Sequence, residues 1–298
     1  MINYRYLAIL LVFGYAMLYL PLILITNDTY AYATMVSISD THYPPLFLIL
    51  VKIQTLVLNV NENSIIWFTF LTGSIIALLI LPILVYFLFE EYKKSSKIAF
   101  WGLFAYMLGT GITNYYYYAN IWAQALGMSL LVISLTYLMK EQYKKAAVFI
   151  VLVALSHRVL IYYAIAILLV FLILKRNEIQ GFFSGLAYCL YKTGEISYSL
   201  MCYIPMFLLV YPFFWIVTLR NITVKTINDK LFVISAVIPL AFVFLDLRTF
   251  LATFTFLSIY VGEEICNGSK RKILIIATCL VFAAISFVYT LDLANTAI

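Results

Sequence analysis

Apolar residues fill most of the chain in long runs that short polar clusters interrupt. The first run, Tyr6–Ile25, has the length at which an α-helix crosses the hydrocarbon core of a membrane. Arg5 precedes it, and no small-residue cleavage pattern follows it, which predicts a retained anchor rather than a signal peptide. Similar runs recur along the chain and predict a protein built almost entirely of membrane-spanning helices.

Basic clusters mark the breaks between these runs. They are Lys93, Lys94 and Lys97; Lys140, Lys144 and Lys145; Lys175 and Arg176; Arg220, Lys225 and Lys230; and Lys270, Arg271 and Lys272. If every cluster faces the cytoplasm, the chain between two consecutive clusters must cross the membrane and cross back. The runs are therefore predicted to be paired spans. Their outer turns are expected at Asn114–Asn120, His157–Arg158, Lys192–Glu195 and Asp246–Arg248.

The apolar segment Pro45–Val60 fits this topology only as a helix along the outer face. If it crossed the membrane, every later basic cluster would lie on the extracytoplasmic side. The predicted fold is all-α and polytopic, with about 11 transmembrane helices plus this outer-face amphipathic helix. We expect a single transmembrane domain, 1–298, with a first outer loop at 26–64 and no extracytoplasmic carboxyl-terminal domain. The amino terminus is predicted to be cytoplasmic and the carboxyl terminus extracytoplasmic.

Composition and charge agree with this arrangement. Hydrophobic residues make up 65% of the chain, and charged residues only 11%, against about 25% in soluble proteins. So few charges exclude a soluble enzyme and a disordered chain. The net charge of +6 is explained first by membrane topology, which excludes a nucleic-acid binder. The four cysteines, at 189, 202, 266 and 279, have no metal-site or redox spacing and are interpreted as apolar filler.

Ionisable residues at membrane depth are costly and are therefore candidate functional residues. The predicted outer turns and first outer loop collect Asp28, Asp40, His42, His157, Arg158, Asp246 and Arg248. Asp28 is either a solvated loop acid or a general base. Arg158 is either a helix cap or a phosphate clamp. Asp246 and Arg248 either pair within the bundle or bind a substrate.

Two further groups on the same side have alternative interpretations. The Tyr115–Tyr118 run with Trp122 is typical of an interfacial aromatic belt, and it would also serve as a sugar-stacking platform. Asn120 and Gln124 can bind sugar hydroxyls. Asp40 and His42 either form an ordinary helix-entry turn or contact a phosphate or a metal. With Asp28 they can hold Mg²⁺ or Mn²⁺, although two arginines make a metal optional. This inventory suits a lipid-linked phosphorylated substrate with its apolar tail in the bilayer.

Short motifs in these segments resemble those of the GT-C superfamily, the polyprenyl-phosphate-dependent membrane glycosyltransferases. Asp28-Thr-Tyr30 and Tyr43-Pro-Pro-Leu46 are similar to the two ends of the first outer loop in the protein O-mannosyltransferase and lipid A aminoarabinose transferase group. Leu155-Ser-His-Arg158 resembles that group's paired-span turn, and Asp246-Leu-Arg248 its late Asp/Arg turn. Tyr43 stands where the motif has His or Lys, and His42 lies one place early.

The resemblance implies a GT-C-like fold and an enzyme of the plasma membrane, a hexosyl or pentosyl transferase. It would move a sugar from a polyprenyl-phosphate donor to a glycan, lipid or protein acceptor on the extracytoplasmic face. Asp28 would be the catalytic base. Substrate and phosphate would be bound by Arg158, Arg248, His157, His42, Tyr43, Asp246, Asn120, Trp122 and Gln124. A polysaccharide polymerase and a non-enzymatic lipid or solute transporter remain as alternatives.

Overall fold

The computed structural model of the protein describes residues 3–20, 27–38, 45–59, 61–110, 122–157, 160, 162–169, 204–241, 249–268 and 270–296. These residues are helical almost throughout and contain no strand, which confirms the predicted all-α class. The helices are α1 Tyr4–Tyr19, α2 Asn27–Ile38, α3 Pro45–Val57, α4 Glu62–Ile75, α5 Leu81–Lys93, α6 Ser96–Phe104, α7 Trp122–Met139, α8 Tyr143–Ser156, α9 Ile204–Asn221, α10 Ile227–Ala241, α11 Thr249–Cys266 and α12 Lys272–Thr296. A further helical stretch covers 162–169.

Two π-helical segments interrupt the regular geometry. Ile76–Ile80 joins α4 to α5, and Ala105–Gly109 extends α6. The helices then group into two compact units. Unit 1 comprises 1–88, 114–158 and 284–298, and unit 2 comprises 89–113 and 159–283. The sequence predicts a single transmembrane domain over the same residues.

Unit 1 is organised by the hairpin of α7 and α8. The turn between them passes through Glu141, which has a left-handed backbone with φ 57°. Ser134 Oγ donates a 3.0 Å hydrogen bond to the Ala146 carbonyl across the hairpin, and the Tyr137 and Phe149 rings stack at 5.5 Å. Helices α2, α3 and α4 pack together beside this hairpin. Thr72 Oγ1 donates a 2.6 Å hydrogen bond to Gln54 Oε1 and thereby ties α4 to α3.

Unit 2 is organised around α11, which packs against α6, α9 and α10. Glycines let α6 and α11 approach closely, because a Cβ on Gly262 would overlap the backbone of Gly102. Close backbone contact at small residues is typical of helices that pack within membranes. A larger residue at Gly262 would push the two helices apart, whereas a Cβ on Gly102 would first meet the side-chain ends of Ile259 and Phe89, at 2.9 Å.

Most buried side chains are apolar, but the interior of both units also holds many hydroxyl groups, and the outer surface holds many large apolar side chains. Hydroxyl side chains are buried inside the units, including Thr69, Ser129, Ser134, Ser235, Thr255 and Ser258. Several satisfy themselves within their own helix: Thr69, Ser129 and Ser235 each donate to the carbonyl four residues earlier, at 2.8–2.9 Å. Large apolar side chains lie outside, with Leu10 67% exposed and Ile273 80% exposed. Such an extensive apolar surface indicates contact with lipid or with a partner.

Two helical stretches within the described residues are long and apolar enough to cross a membrane, by length and composition alone. They are Ser64–Lys93, of 30 residues, and Trp122–Met139, of 18. Shorter apolar helices cover Tyr4–Tyr19, Pro45–Val57 and Lys272–Val288. The count of about 11 spans therefore stays a prediction.

Some predicted boundaries can be compared with the observed ones. Helix α8 ends at Ser156, next to the predicted turn at His157–Arg158. Helix α3 begins at Pro45, as predicted for the outer-face helix, and exposes Ile53, Leu56 and Val57. The predicted turns Asn114–Asn120, Lys192–Glu195 and Asp246–Arg248 lie outside the described residues.

Candidate functional site

Trp122 lies at the centre of an aromatic cluster in unit 1. Its indole ring stacks on Tyr32 at 6.2 Å and contacts Phe47 and Phe70, each with ring centroids 6.1 Å away. These four residues, here called the Trp122 cluster, come from α2, α3, α4 and α7. The cluster therefore joins the first outer loop of the sequence prediction to the start of the α7–α8 hairpin.

Gly73 makes room for the indole ring. A Cβ built on Gly73 would overlap the ring carbons of Trp122, so the ring lies directly against the backbone of α4. The Trp122 side chain is 0% exposed, and its Nε1 has no hydrogen-bond partner among the described residues. A buried indole without an acceptor is uncommon, because Trp usually pairs its N–H when it is buried.

The predicted base Asp28 belongs to α2, the helix that supplies Tyr32. Asp28 precedes Tyr32 by four residues, a separation that puts two positions on one face of a helix, about 6 Å apart along its axis. The side chain of Asp28 is outside the described part of the chain. The backbone alone thus brings this position within about one turn of the Trp122 cluster.

Gln124 and His157 stand at the same end of unit 1. Because α7 and α8 form a hairpin, the beginning of α7 and the end of α8 lie at the same end of it. Gln124 is 2% exposed, and His157 is 7% exposed. His157 caps α8 in an extended conformation, and its backbone N–H donates to the Val153 carbonyl at 3.2 Å.

Burial changes the interpretation of Trp122. A sugar-stacking platform or an interfacial belt needs an accessible ring face, but among the described residues this ring is enclosed by aromatic side chains and Gly73. Its observed contacts are those of a residue that positions neighbouring helices. Direct contact between Trp122 and a substrate stays a prediction that this packing does not favour.

The remaining predicted site residues lie outside the described part of the chain. They are Asp40, His42, Tyr43, Asn120, Arg158, Asp246 and Arg248. Within the described ranges no group of three His, Cys, Asp or Glu residues could hold a metal ion. Since Asp40 and His42 fall outside those ranges, the metal hypothesis stays a prediction.

Unit 2 holds a polar network that the sequence prediction missed. Tyr92 Oη donates a 2.9 Å hydrogen bond to Asp229 Oδ1, and the Tyr260 hydroxyl lies 3.4 Å from that of Tyr92. Lys93 Nζ lies 2.7 Å from Glu263 Oε2 and also above the rings of Tyr92 and Tyr260, at 4.6 Å and 5.2 Å. These five residues, here called the Asp229 network, connect α5, α10 and α11.

A capping box holds Asp229 in place. The backbone N–H of Thr226 donates to Asp229 Oδ2 at 2.8 Å, and the backbone N–H of Asp229 donates to Thr226 Oγ1 at 3.0 Å. This reciprocal pair satisfies two backbone donors at the start of α10. The Lys225 N–H adds a third bond to the carboxylate, at 3.1 Å.

These bonds also determine the acidity of Asp229, which lies ahead of the apolar stretch beginning at Leu231. Partial burial by itself raises the pKa of the carboxyl group. Hydrogen bonds from Thr226, Tyr92 and the Lys225 backbone stabilise the carboxylate and outweigh burial, so its pKa lies below the ordinary value. Asp229 is therefore charged at neutral pH.

Neighbouring contacts extend the network. Asn221 Nδ2 donates to Glu264 Oε2 at 2.8 Å and connects the end of α9 to the end of α11. Glu263 Oε2 has no aligned hydrogen-bond donor among the described residues, so its contact with Lys93 is an ion pair. The pattern Thr226-Ile-Asn-Asp229 before an apolar run is a sequence signal for the cap. Nothing in the sequence indicates Tyr92 as its partner.

No protein-family model, no curated protein and no solved structure matches the chain. The likeness to the GT-C superfamily therefore rests on the short motifs quoted above.

Proposed function

We propose that the chain is a multi-pass protein of the plasma membrane, with the predicted outer turns on the extracytoplasmic side. The support is the set of large apolar side chains exposed on both units, together with hydroxyl groups buried within the apolar core. In lipid the polar groups must be satisfied within the protein, and apolar surface carries no penalty. Two helical stretches of spanning length add to this support.

We further propose that it is a glycosyltransferase of the GT-C type that uses a polyprenyl-phosphate-linked sugar. One observation carries this proposal: Asp28 stands one helical turn before Tyr32, whose ring stacks on Trp122. The candidate base thereby shares one end of unit 1 with Gln124 and His157.

In the proposed reaction, Asp28 accepts the proton of the acceptor hydroxyl as that oxygen attacks the anomeric carbon. The bond between the anomeric carbon and the phosphate oxygen breaks, and the polyprenyl phosphate leaves with the electron pair. Arg158, next to His157, would stabilise the charge of the leaving phosphate. Anchoring the donor in the bilayer lowers the entropy that is lost on reaching the reactive geometry.

Transfer assays on membranes that contain the full chain test this function. Radiolabelled polyprenyl-phosphate hexoses and pentoses would serve as donors, and transfer to endogenous acceptors would be measured. Asp28→Asn should reduce transfer by roughly 10²-fold or more, the usual effect of removing a general base. Asp292→Asn, a matched acid on the predicted outer side, should leave transfer unchanged. Equal rates in wild type and Asp28→Asn would end the assignment.

The proposed topology has a separate test. Reporter domains fused after Lys97 or after Lys272 should be active on the cytoplasmic side, because basic clusters remain there. A fusion in the 26–64 loop should be accessible only from outside. If the reporters fused after Lys97 or Lys272 were accessible from outside, the topology would be inverted. Asp28 would then lie on the cytoplasmic side, where the proposed reaction does not take place.

A further inference from the structure

Basic side chains gather at one end of unit 2. The end of α5, the end of α9, the start of α10 and the end of α11 are joined there by three contacts: Tyr92 with Asp229, Lys93 with Glu263, and Asn221 with Glu264. Lys272, at the start of α12, lies 5.6 Å above the Trp101 ring of α6. The exposed basic side chains of this region are Lys94, Lys97, Arg220, Lys225, Lys270 and Arg271, here called the basic end.

The acids of the same region are engaged internally. Asp229 accepts from Tyr92 and from the α10 cap, Glu263 pairs with Lys93, and Glu264 accepts from Asn221. Glu91 pairs with Lys94. By contrast, no carboxylate in the described chain pairs with the exposed Lys97, Lys225 or Lys270. Hydrogen bonds from neutral donors leave the negative charges of Asp229 and Glu264 in place. The net charge of this end is nevertheless positive, because nine basic residues (93, 94, 97, 220, 225, 230 and 270–272) outnumber five acids (90, 91, 229, 263 and 264).

Exposed apolar side chains directly flank these cations. Leu219 precedes Arg220, Val224 precedes Lys225, and Ile273 lies two residues after Arg271; all three apolar side chains are exposed. A surface that binds a soluble phosphate or a nucleic acid does not need exposed aliphatic groups between its cations. Apolar groups beside basic ones match a membrane boundary, where acyl chains meet charged headgroups.

We propose that the basic end of unit 2 binds the headgroups of anionic phospholipids in the leaflet that it faces. This proposal rests on the membrane location proposed above but not on glycosyl transfer. Loss of transfer in Asp28→Asn and loss of lipid selectivity at the basic end are therefore separate results. The charge at this end favours phosphatidylglycerol over phosphatidylcholine, because only phosphatidylglycerol carries a net negative charge.

Lipid binding to the full-length protein in neutral detergent tests the proposal. Dioctanoyl phosphatidylglycerol and dioctanoyl phosphatidylcholine would be titrated separately and bound lipid counted by native mass spectrometry. Phosphatidylglycerol should bind roughly tenfold tighter or more, since each basic group near a headgroup contributes about fivefold. The triple variant Lys97→Gln, Lys225→Gln, Lys270→Gln should weaken phosphatidylglycerol binding by roughly fivefold or more and leave phosphatidylcholine binding unchanged.

The control removes equal charge elsewhere. The triple variant Lys140→Gln, Lys144→Gln, Lys145→Gln, at the α7–α8 turn of unit 1, should keep phosphatidylglycerol affinity within about twofold. Three results would overturn the proposal: equal affinity of wild type for both lipids, an equal loss in the control, or displacement of phosphatidylglycerol by equimolar inorganic phosphate.

The salt dependence of lipid binding can be measured on the wild type alone, so this test does not depend on the folding of a variant. Raising sodium chloride from about 50 to about 500 mM should weaken phosphatidylglycerol binding by roughly tenfold and leave phosphatidylcholine binding unchanged, because salt screens exposed charges. Unchanged phosphatidylglycerol binding would also overturn the proposal.

Discussion

The hydroxyl of Tyr92 donates a 2.9 Å hydrogen bond to the carboxylate of Asp229, which lies 137 residues later in the chain. The two residues come from the last turn of α5 and the first turn of α10. The Tyr92 ring also stacks on Phe232 of α10, with centroids 4.2 Å apart. One residue thus holds the junction of two helices through a polar contact and an apolar one, which allows the two to be tested separately.

Tyr92→Phe should lower the free energy of unfolding by roughly 1–2 kcal/mol, because it removes a hydrogen bond to a charged group and keeps the ring stacking. Unfolding by sodium dodecyl sulfate, titrated into protein in mild detergent, would measure the change. Tyr162→Phe, at an exposed ring, is the matched control and should be neutral. A Tyr92→Phe protein as stable as wild type would mean that the hydrogen bond adds nothing.

Stability should depend on pH through Asp229. Its pKa is lowered in the folded protein, so its contribution is present above the ordinary pKa, about 4, and is lost as pH falls through the folded value. Unfolding measured between about pH 6 and pH 3 should show wild type losing its advantage over Asp229→Asn as the pH falls. An advantage that stays constant over this range would contradict the assigned direction of the shift.

The ion pair between Lys93 and Glu263 should be coupled. Removing one partner leaves a poorly exposed charge without its counter-ion, whereas removing both does not. Lys93→Met and Glu263→Gln should each destabilise the protein. In the double variant the loss should be smaller than the sum by about 0.5–3 kcal/mol. Strict additivity in this double-mutant cycle would show that the two side chains do not interact.

Gly73→Ala should destabilise unit 1 by roughly 1–3 kcal/mol, because its methyl group would overlap the Trp122 ring. Gly14→Ala in α1, where a Cβ meets nothing within 4 Å, should be neutral or stabilising through helix propensity. In a Trp122→Leu background, which is itself destabilised by the cavity, Gly73→Ala should cost less than in wild type, because the smaller side chain leaves room for the methyl group. An equal cost of Gly73→Ala in both backgrounds would place the strain elsewhere.

A lysine at an exposed apolar position tests whether α12 faces lipid. Val281 lies well inside α12 and is 54% exposed, whereas Val224, in the segment before α10, is 53% exposed. Val281→Lys should reduce the membrane-inserted fraction, with a cost of about 2.5–3.5 kcal/mol for a charge at mid-bilayer. Val224→Lys should insert normally. Equal insertion of both variants would argue against lipid contact at Val281.

Patterns among neighbouring residues predicted a large part of the secondary structure. The apolar runs predicted helices, and α3 begins at Pro45 and α8 ends beside His157 as the pattern of prolines and polar breaks indicates. These features depend on neighbouring residues, and a single sequence contains that information. For the candidate site, the sequence predicts which residues lie on the same side of the membrane. Most of those residues lie outside the described ranges.

The sequence by itself determined that this chain is helical and apolar, that basic clusters separate its apolar runs, and that Thr226 and Asp229 can cap a helix. Only the tertiary structure decided that Trp122 is enclosed against Gly73, that Asp229 meets Tyr92, and that Glu263 pairs with Lys93. The physical reason is range: a cap or a hydrophobic run is satisfied within a few residues. A contact between side chains far apart in sequence exists only after helices pack, and a single sequence holds no local trace of it.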